Sequence, residues 1–381
     1  MKILLIGEYS RLHNSLKEGL KLLGHDAYII GDGDHFKKFD VDFSVRPFFF
    51  TNYWLTRKFS GFCSKILSID LMKLERGIRF YLFLPQLRNF DIVQLINSDA
   101  IETYPFFSKH LFKKIFSQNK KAILLVCGDE TPVIDYLLKN ELRYSILTPL
   151  LYNPKLKKEF LYSLKYTQKN YRNLFEFVTK NVLKIVTSDL DYKIPMEKMG
   201  FQTCLIPNPV NTNKLKFKHL ETSEKIIIFL GINTGSSIKK GTVYFEKALE
   251  IISKKYPQKV ETIITRSIPY NEYIAIYNKA HILLDQVYGY DQGYNALEAM
   301  AKGKVVFTGA ETEFMNYYKL TDRVCINAIP DVDHLVKELS FLIENPAELI
   351  AIGKRARIFI ETEHEYIKIT QKYIQMWETT F

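Results

Sequence analysis

The chain has 381 residues, 47% apolar and 25% charged. That composition suits ordinary soluble domains, excludes a disordered, collagenous or single small module, and at this length predicts two domains. The net charge of +11 sits almost entirely in the first half, where residues 1–207 carry 31 Lys and Arg against 21 Asp and Glu while the remainder carry 22 against 21; the asymmetry points to an anionic partner or to a solvated basic face.

Residues 2–7, KILLIG, form an apolar run too short for the ~7–15-residue core of a signal peptide and predict a first strand. Ser10 is the predicted cap of a helix carrying Leu12, Leu16, Leu20 and Leu23 on one face, which Gly24 ends. A strand at 27–30 and the turn Gly31-Asp32-Gly33-Asp34 complete a βαβ opening, and strand-like runs recur at 91–96, 122–126 and 183–187. Between them, Phe48, Phe49, Phe50, Tyr53, Trp54, Phe59, Phe80, Tyr81 and Phe83 alternate with Arg46, Arg57, Lys58, Lys65, Arg76, Arg79 and Arg88. That mixture suits contact with an anionic membrane, and equally an insertion that packs its aromatics inward. No window reaches the ~18 apolar residues of a spanning helix.

Ile206-Pro207-Asn208-Pro209-Val210 lacks any helical or strand period and reads as an interdomain linker. Strands are then predicted at 225–231, 260–265, 282–285 and 305–308, with helices at 242–252, 271–280 and 295–301 between them. Two doubly wound α/β domains in series predict a cleft, with ligands outside the carboxyl ends of the strands. Cys63, Cys127, Cys204 and Cys325 form no CxxC and are too few to staple the chain, which fits a reducing, cytoplasmic setting.

The sharpest stretch is 293–306, GYNALEAMAKGKVV, where a glycine leads into a helix bearing Glu298 and Gly303 ends it. The helix start suits phosphate, and Glu298 suits the vicinal hydroxyls of a ribose; read alone, Glu298 is equally a carboxylate stabilised by the helix dipole. Four Asp-x-Asp pairs, at 32/34, 40/42, 189/191 and 331/333, are read as turn chemistry rather than as metal ligands. The eight histidines show no metal-ligand spacing, and His13 is expected to be exposed or capping.

The stretch 293–306 resembles the C-terminal-domain signature of retaining GT-B glycosyltransferases of family four (glycosyl transferases group 1). The linker at 206–210, together with Phe229-Leu230-Gly231 and Lys240-Gly241-Thr242, is similar to that family's linker, first strand and lysine loop. The resemblance implies a GT-B fold of two Rossmann-like domains facing across a cleft: residues 1–207 for the acceptor, 208–362 for the nucleotide-sugar, and 363–381 as a helix crossing back to the first domain. It implies that Glu298 holds the donor ribose and Lys240 neutralises the diphosphate. Gly293, Tyr294, Asn295 and Ala296 would face the phosphates, with Arg266, Ile268 and Pro269 near the nucleobase and Gly231, Lys239 and Asp291 also on the donor side. Gly7 marks the approach of the acceptor.

The sequence departs from the family at three places. Tyr290, with Asp291 beside it, stands where many members have a further glutamate. The arginine upstream of the lysine is absent, leaving Lys239 or Arg266 as substitutes, and the N-terminal histidine has no counterpart. Asn97 and Asp129, each after a strand, are the candidates there, Asp129 with a catalytic role. The resemblance thus implies metal-independent hexosyl transfer, with retention, from a UDP- or GDP-sugar onto a glycan or polyprenyl-phosphate-linked acceptor in polysaccharide synthesis, without a cofactor or nucleic acid, in the cytoplasm or peripherally on a membrane. The alternative is a sugar-nucleotide- or glycan-binding protein without turnover. Charge alone prompts a third reading, nucleic-acid binding, which no motif supports.

Overall fold

The computed structural model describes residues 1–34, 37–67, 69–221 and 225–379. Two compact units are present. The first comprises Met1–Tyr136, Tyr162–Pro209 and the chain from Tyr366 onward, and the second Leu137–Leu161 and Val210–Glu365.

In the first unit the strands are β1 (Lys2–Ile6), β2 (Asp26–Gly31), β3 (Phe43–Ser44), β4 (Ile92–Leu95), β5 (Lys121–Val126), β6 (Lys184–Thr187) and β7 (Cys204–Leu205). They form one sheet in the order β3-β2-β1-β4-β5-β6-β7, with every pair parallel. Helices cover both faces of such a sheet, so its central strands read as unbroken apolar runs; Ile3 to Ile6 and Ile123 to Val126 are completely buried. The strand order reverses between β1 and β4, and that switch point is where the fold opens a ligand crevice. The helix Tyr366–Glu378 packs on the helix Leu12–Leu22. Gly19 permits the crossing, because a Cβ there would run into Thr370 Oγ1.

The start of Leu12–Leu22 differs from the sequence expectation. Ser10 and Arg11 both have positive φ, and the cap residue is Arg11, which makes no side-chain cap bond. Glu8 does that work from outside the helix, accepting hydrogen bonds from Asn14 N at 2.8 Å and Asn14 Nδ2 at 2.6 Å. His13 is neither exposed nor capping. It is fully buried, with Nδ1 2.7 Å from the Gly7 carbonyl and Nε2 3.3 Å from Gln94 Nε2.

The second unit holds β8 (Ile226–Ile232), β9 (Val260–Arg266), β10 (Ile282–Leu284), β11 (Val305–Thr308) and β12 (Ile326–Asn327) in the parallel order β12-β11-β10-β8-β9. Here the order reverses between β8 and β10. The segment Leu137–Leu161 lies within the span 1–207 yet belongs to this unit. Its polar and ring contacts explain why: Tyr144 donates to Glu311, the Arg143 guanidinium reaches Glu311 at 2.9 Å and Glu313 at 2.5 Å, and Lys239 lies over the buried Phe160 ring at 5.6 Å.

Candidate functional site

At the β8/β10 switch point of the second unit, Asp285 directly follows β10 and is buried. Its Oδ1 accepts from Lys240 Nζ at 2.8 Å and from Asn295 Nδ2 at 3.0 Å. Asn295 Oδ1 in turn accepts from Tyr273 at 2.9 Å, and the Asn295 carbonyl accepts from Tyr277 at 3.0 Å. Gly231 serves this chain of contacts, since a Cβ on it would collide with the Tyr273 ring. A buried carboxylate needs a cation and further hydrogen bonds to be tolerated; Lys240 and Asn295 supply both. The Lys240 side chain keeps 34% exposure against 2% for Asp285, so the pair holds the ammonium while leaving it partly in solvent.

Gly293 caps the helix Tyr294–Ala301. Intrahelical bonding begins with Leu297 N to Gly293 O at 3.0 Å, so the amides of Tyr294, Asn295 and Ala296 precede the helix ladder. Glu298 is half-buried on the same helix, one turn beyond Asn295. Lys240, Asn295 and the helix bearing Gly293, Ala296 and Glu298 are therefore joined through Asp285. Ala296 is fully buried, backbone included. Other candidates point elsewhere: Lys239 lies over Phe160, Arg266 pairs with Glu246, and Asp291 is buried with its Oδ1 accepting from Gln292 N at 2.8 Å. Ile268 and Pro269 follow β9, with Pro269 capping the helix Tyr270–Lys279. Tyr290 accepts from Arg143 N at 3.0 Å and lies 4.8 Å beneath the Arg143 guanidinium.

In the first unit, Gly7, Asn97 and Asp129 gather at the ends of β1, β4 and β5. Gly7 has φ +86° and faces Ile96 and Ala100 so closely that no side chain fits. Asn97 is buried and donates from Nδ2 to the Asp129 carbonyl at 2.8 Å, while the Asp129 carboxylate accepts from Ser163. The neighbouring Glu130 accepts from Ser98 N at 2.8 Å, Ser98 Oγ at 2.7 Å and Thr131 N at 3.0 Å, tying the loops after β4 and β5 together. Sequence reasoning missed Asp285, Glu8 and Glu130. The available signal was an acid placed shortly after an apolar strand.

Burial pushes the Glu8 carboxyl up from 4.5 to about 8, with the Asn14 hydrogen bonds only partly offsetting it. Between those values the folded chain keeps a proton that the unfolded chain has released, so this group makes stability fall as pH rises, by up to about 1.4 kcal/mol per pH unit. Glu130, raised by burial to about 7, acts in the same sense, and the buried His13, lowered to about 4, acts in the opposite sense below its ordinary 6.5. A difference measurement isolates Glu8. Glu8→Gln is expected to gain stability relative to the unsubstituted protein as pH rises through the window and to level off above it, as read by urea unfolding; a pH-independent difference would contradict the assignment.

A family model described as glycosyl transferase-like matches residues 239–375. No curated protein matches the chain. Among solved structures, the chain is similar to sucrose-phosphate synthase from Thermosynechococcus elongatus, with a TM-score of 0.60 and 12% identity over 99% of this chain and 98% of that one. It is also similar to HepE from Anabaena in complex with UDP, with a TM-score of 0.57, 12% identity and full coverage of both chains. The same protein in complex with UDP-glucose gives a TM-score of 0.58 at 12% identity, again over both whole chains. Two parallel-sheet α/β units of this kind are the GT-B fold.

Proposed function

We propose that the protein is a glycosyltransferase that moves a sugar, with retention, from a nucleoside diphosphate-sugar donor onto a glycan or lipid-linked acceptor. The observation that carries the reading is the Lys240 ammonium held by Asp285 next to the start of the helix bearing Glu298. The glycosyl transferase-like match over 239–375 and the UDP-bound structures of the same fold support it.

In the proposed reaction the bond from the anomeric carbon to the β-phosphate oxygen breaks. The acceptor oxygen bonds to that carbon on the same face, and its proton passes to the departing phosphate. Negative charge builds on the diphosphate, where an ammonium and oriented backbone amides stabilise it most as the transition state forms. Glu298 binds the ribose hydroxyls, Gly7, Asn97 and Asp129 belong to the acceptor side, and neither a metal nor a cofactor enters the reaction.

The test is a screen of UDP-, GDP- and ADP-sugars for hydrolysis and for thermal stabilisation, which a site-specific ligand produces by mass action. Turnover is expected to survive EDTA; full loss restored by Mn²⁺ or Mg²⁺ would overturn the metal-independent scheme. A second reading, sugar-nucleotide binding without turnover, is favoured by Tyr290, which stands among Arg143 contacts at a position the family often gives to glutamate. Stabilisation by a nucleotide-sugar with no hydrolysis or transfer would select it.

A further inference from the structure

The helix Trp54–Leu67 is amphipathic in an inverted sense. At 100° per residue, Thr56, Ser60 and Cys63 share one face and Leu55, Phe59, Phe62 and Ile66 share another within an arc of about 60°. The small residues are the ones turned inward, with Ser60 and Cys63 buried. The large apolar ones stand in the open: Leu55 is 71% exposed, Phe59 56%, Phe62 54% and Ile66 64%. Phe48, Phe49, Tyr53 and Trp54 before this stripe are exposed as well, and so are Ile78, Tyr81 and Leu82 in the helix Leu71–Phe83 after it. A contiguous apolar area of this kind on a soluble protein marks a docking surface.

Charge decides what docks. Residues 43–69 contain no Asp or Glu but carry Arg46, Arg57, Lys58 and Lys65. The two acids that follow are used internally. Asp70 caps Leu71–Phe83 by accepting from Met72 N at 2.9 Å and Lys73 N at 3.2 Å. Glu75 accepts from Phe48 N at 2.7 Å, Phe49 N at 2.9 Å and Phe50 N at 3.0 Å, and pairs with Arg79 at 2.8 Å. The outward face is therefore apolar with basic flanks, and Lys58 lies 4.1 Å over the Trp54 ring. A second copy of the chain docking through the same patch would set these cations against themselves. An anionic bilayer instead receives the rings at head-group depth and the cations at its phosphates.

We infer that Trp54–Leu67 is an interfacial lipid-docking helix that inserts Leu55, Phe59, Phe62 and Ile66 into an anionic bilayer. The inference rests on the proposed function only for its purpose, the meeting with a membrane-held acceptor, so donor binding is a separate readout. The protein has two tryptophans, Trp54 at 57% exposure and Trp377 at 1%. Emission that responds to vesicles therefore reports Trp54. With phosphatidylcholine–phosphatidylglycerol vesicles at low salt, a blue shift and co-flotation are expected, both reduced by salt and by pure phosphatidylcholine. Phe59→Ser/Phe62→Ser and Lys58→Glu/Lys65→Glu should each weaken binding roughly tenfold or more, with UDP-sugar stabilisation unchanged in both. Equal recovery with neutral and anionic vesicles, binding unaffected by either variant, or self-association through the patch without vesicle binding would overturn the inference. Absence of stabilisation by any of the UDP-, GDP- or ADP-sugars in the unsubstituted protein, with vesicle binding intact, would count against the proposed function alone.

Discussion

Replacing Lys240 by alanine is expected to lower turnover on the order of 10²–10³-fold while changing donor affinity less, because the charge it meets grows as the diphosphate departs. The structure adds a second consequence. Lys240 is the cation on the buried Asp285, so its removal leaves that carboxylate without its counter-charge, at a cost on the order of 1–3 kcal/mol of stability. The variant Lys240→Ala/Asp285→Asn separates the two effects. Removing the negative charge along with its partner should recover most of the stability and none of the turnover. Rates and thermal unfolding measured on both variants decide it: a double variant that regained activity would show that Lys240 acts by holding Asp285 and not by meeting the phosphates.

Glu298→Gln should act on binding. Glutamine keeps one acceptor oxygen and loses the charge, so a ribose held by charge-assisted hydrogen bonds is expected to bind more weakly by roughly 1.5–3 kcal/mol. Calorimetry with the donor identified in the screen, beside initial rates, checks this. Donor affinity and rate equal to those of the unsubstituted protein would reduce Glu298 to a helix-start carboxylate and move the donor site away from this helix.

Much of the architecture was legible in the sequence because its cause is local. Strands buried on both faces need unbroken apolar runs, as at Ile3 to Ile6, and helix ends need glycine in left-handed backbone, as at Gly24 with φ +79° and Gly303 with φ +82°. The glycine and glutamate of the helix Tyr294–Ala301 were visible for the same reason, since a helix start is specified within a few residues. Asp285 was not, because an aspartate after a strand acquires meaning only from partners 45 and 10 positions away, Lys240 and Asn295. Glu8 and His13 were hidden likewise: folding carries both out of water, and no local pattern announces which polar side chain will be enclosed.

The aromatic and basic run at 43–90 shows the division most clearly. Its composition allowed either a membrane contact or an inward-packed insertion, since helical periodicity groups residues into faces without saying which face the rest of the chain covers. Tertiary packing settled which face is covered by burying Ser60 and Cys63 and leaving Phe59 and Phe62 in solvent, and by turning Glu75 onto the backbone of Phe48 to Phe50. Sequence by itself determined the parallel α/β character, the order of the longer strands and the glycine-led helix, all set by short-range sterics and apolar periodicity. Only the tertiary structure decided which charges are paired, which are buried and which apolar face is exposed, because those depend on contacts between residues far apart in the chain.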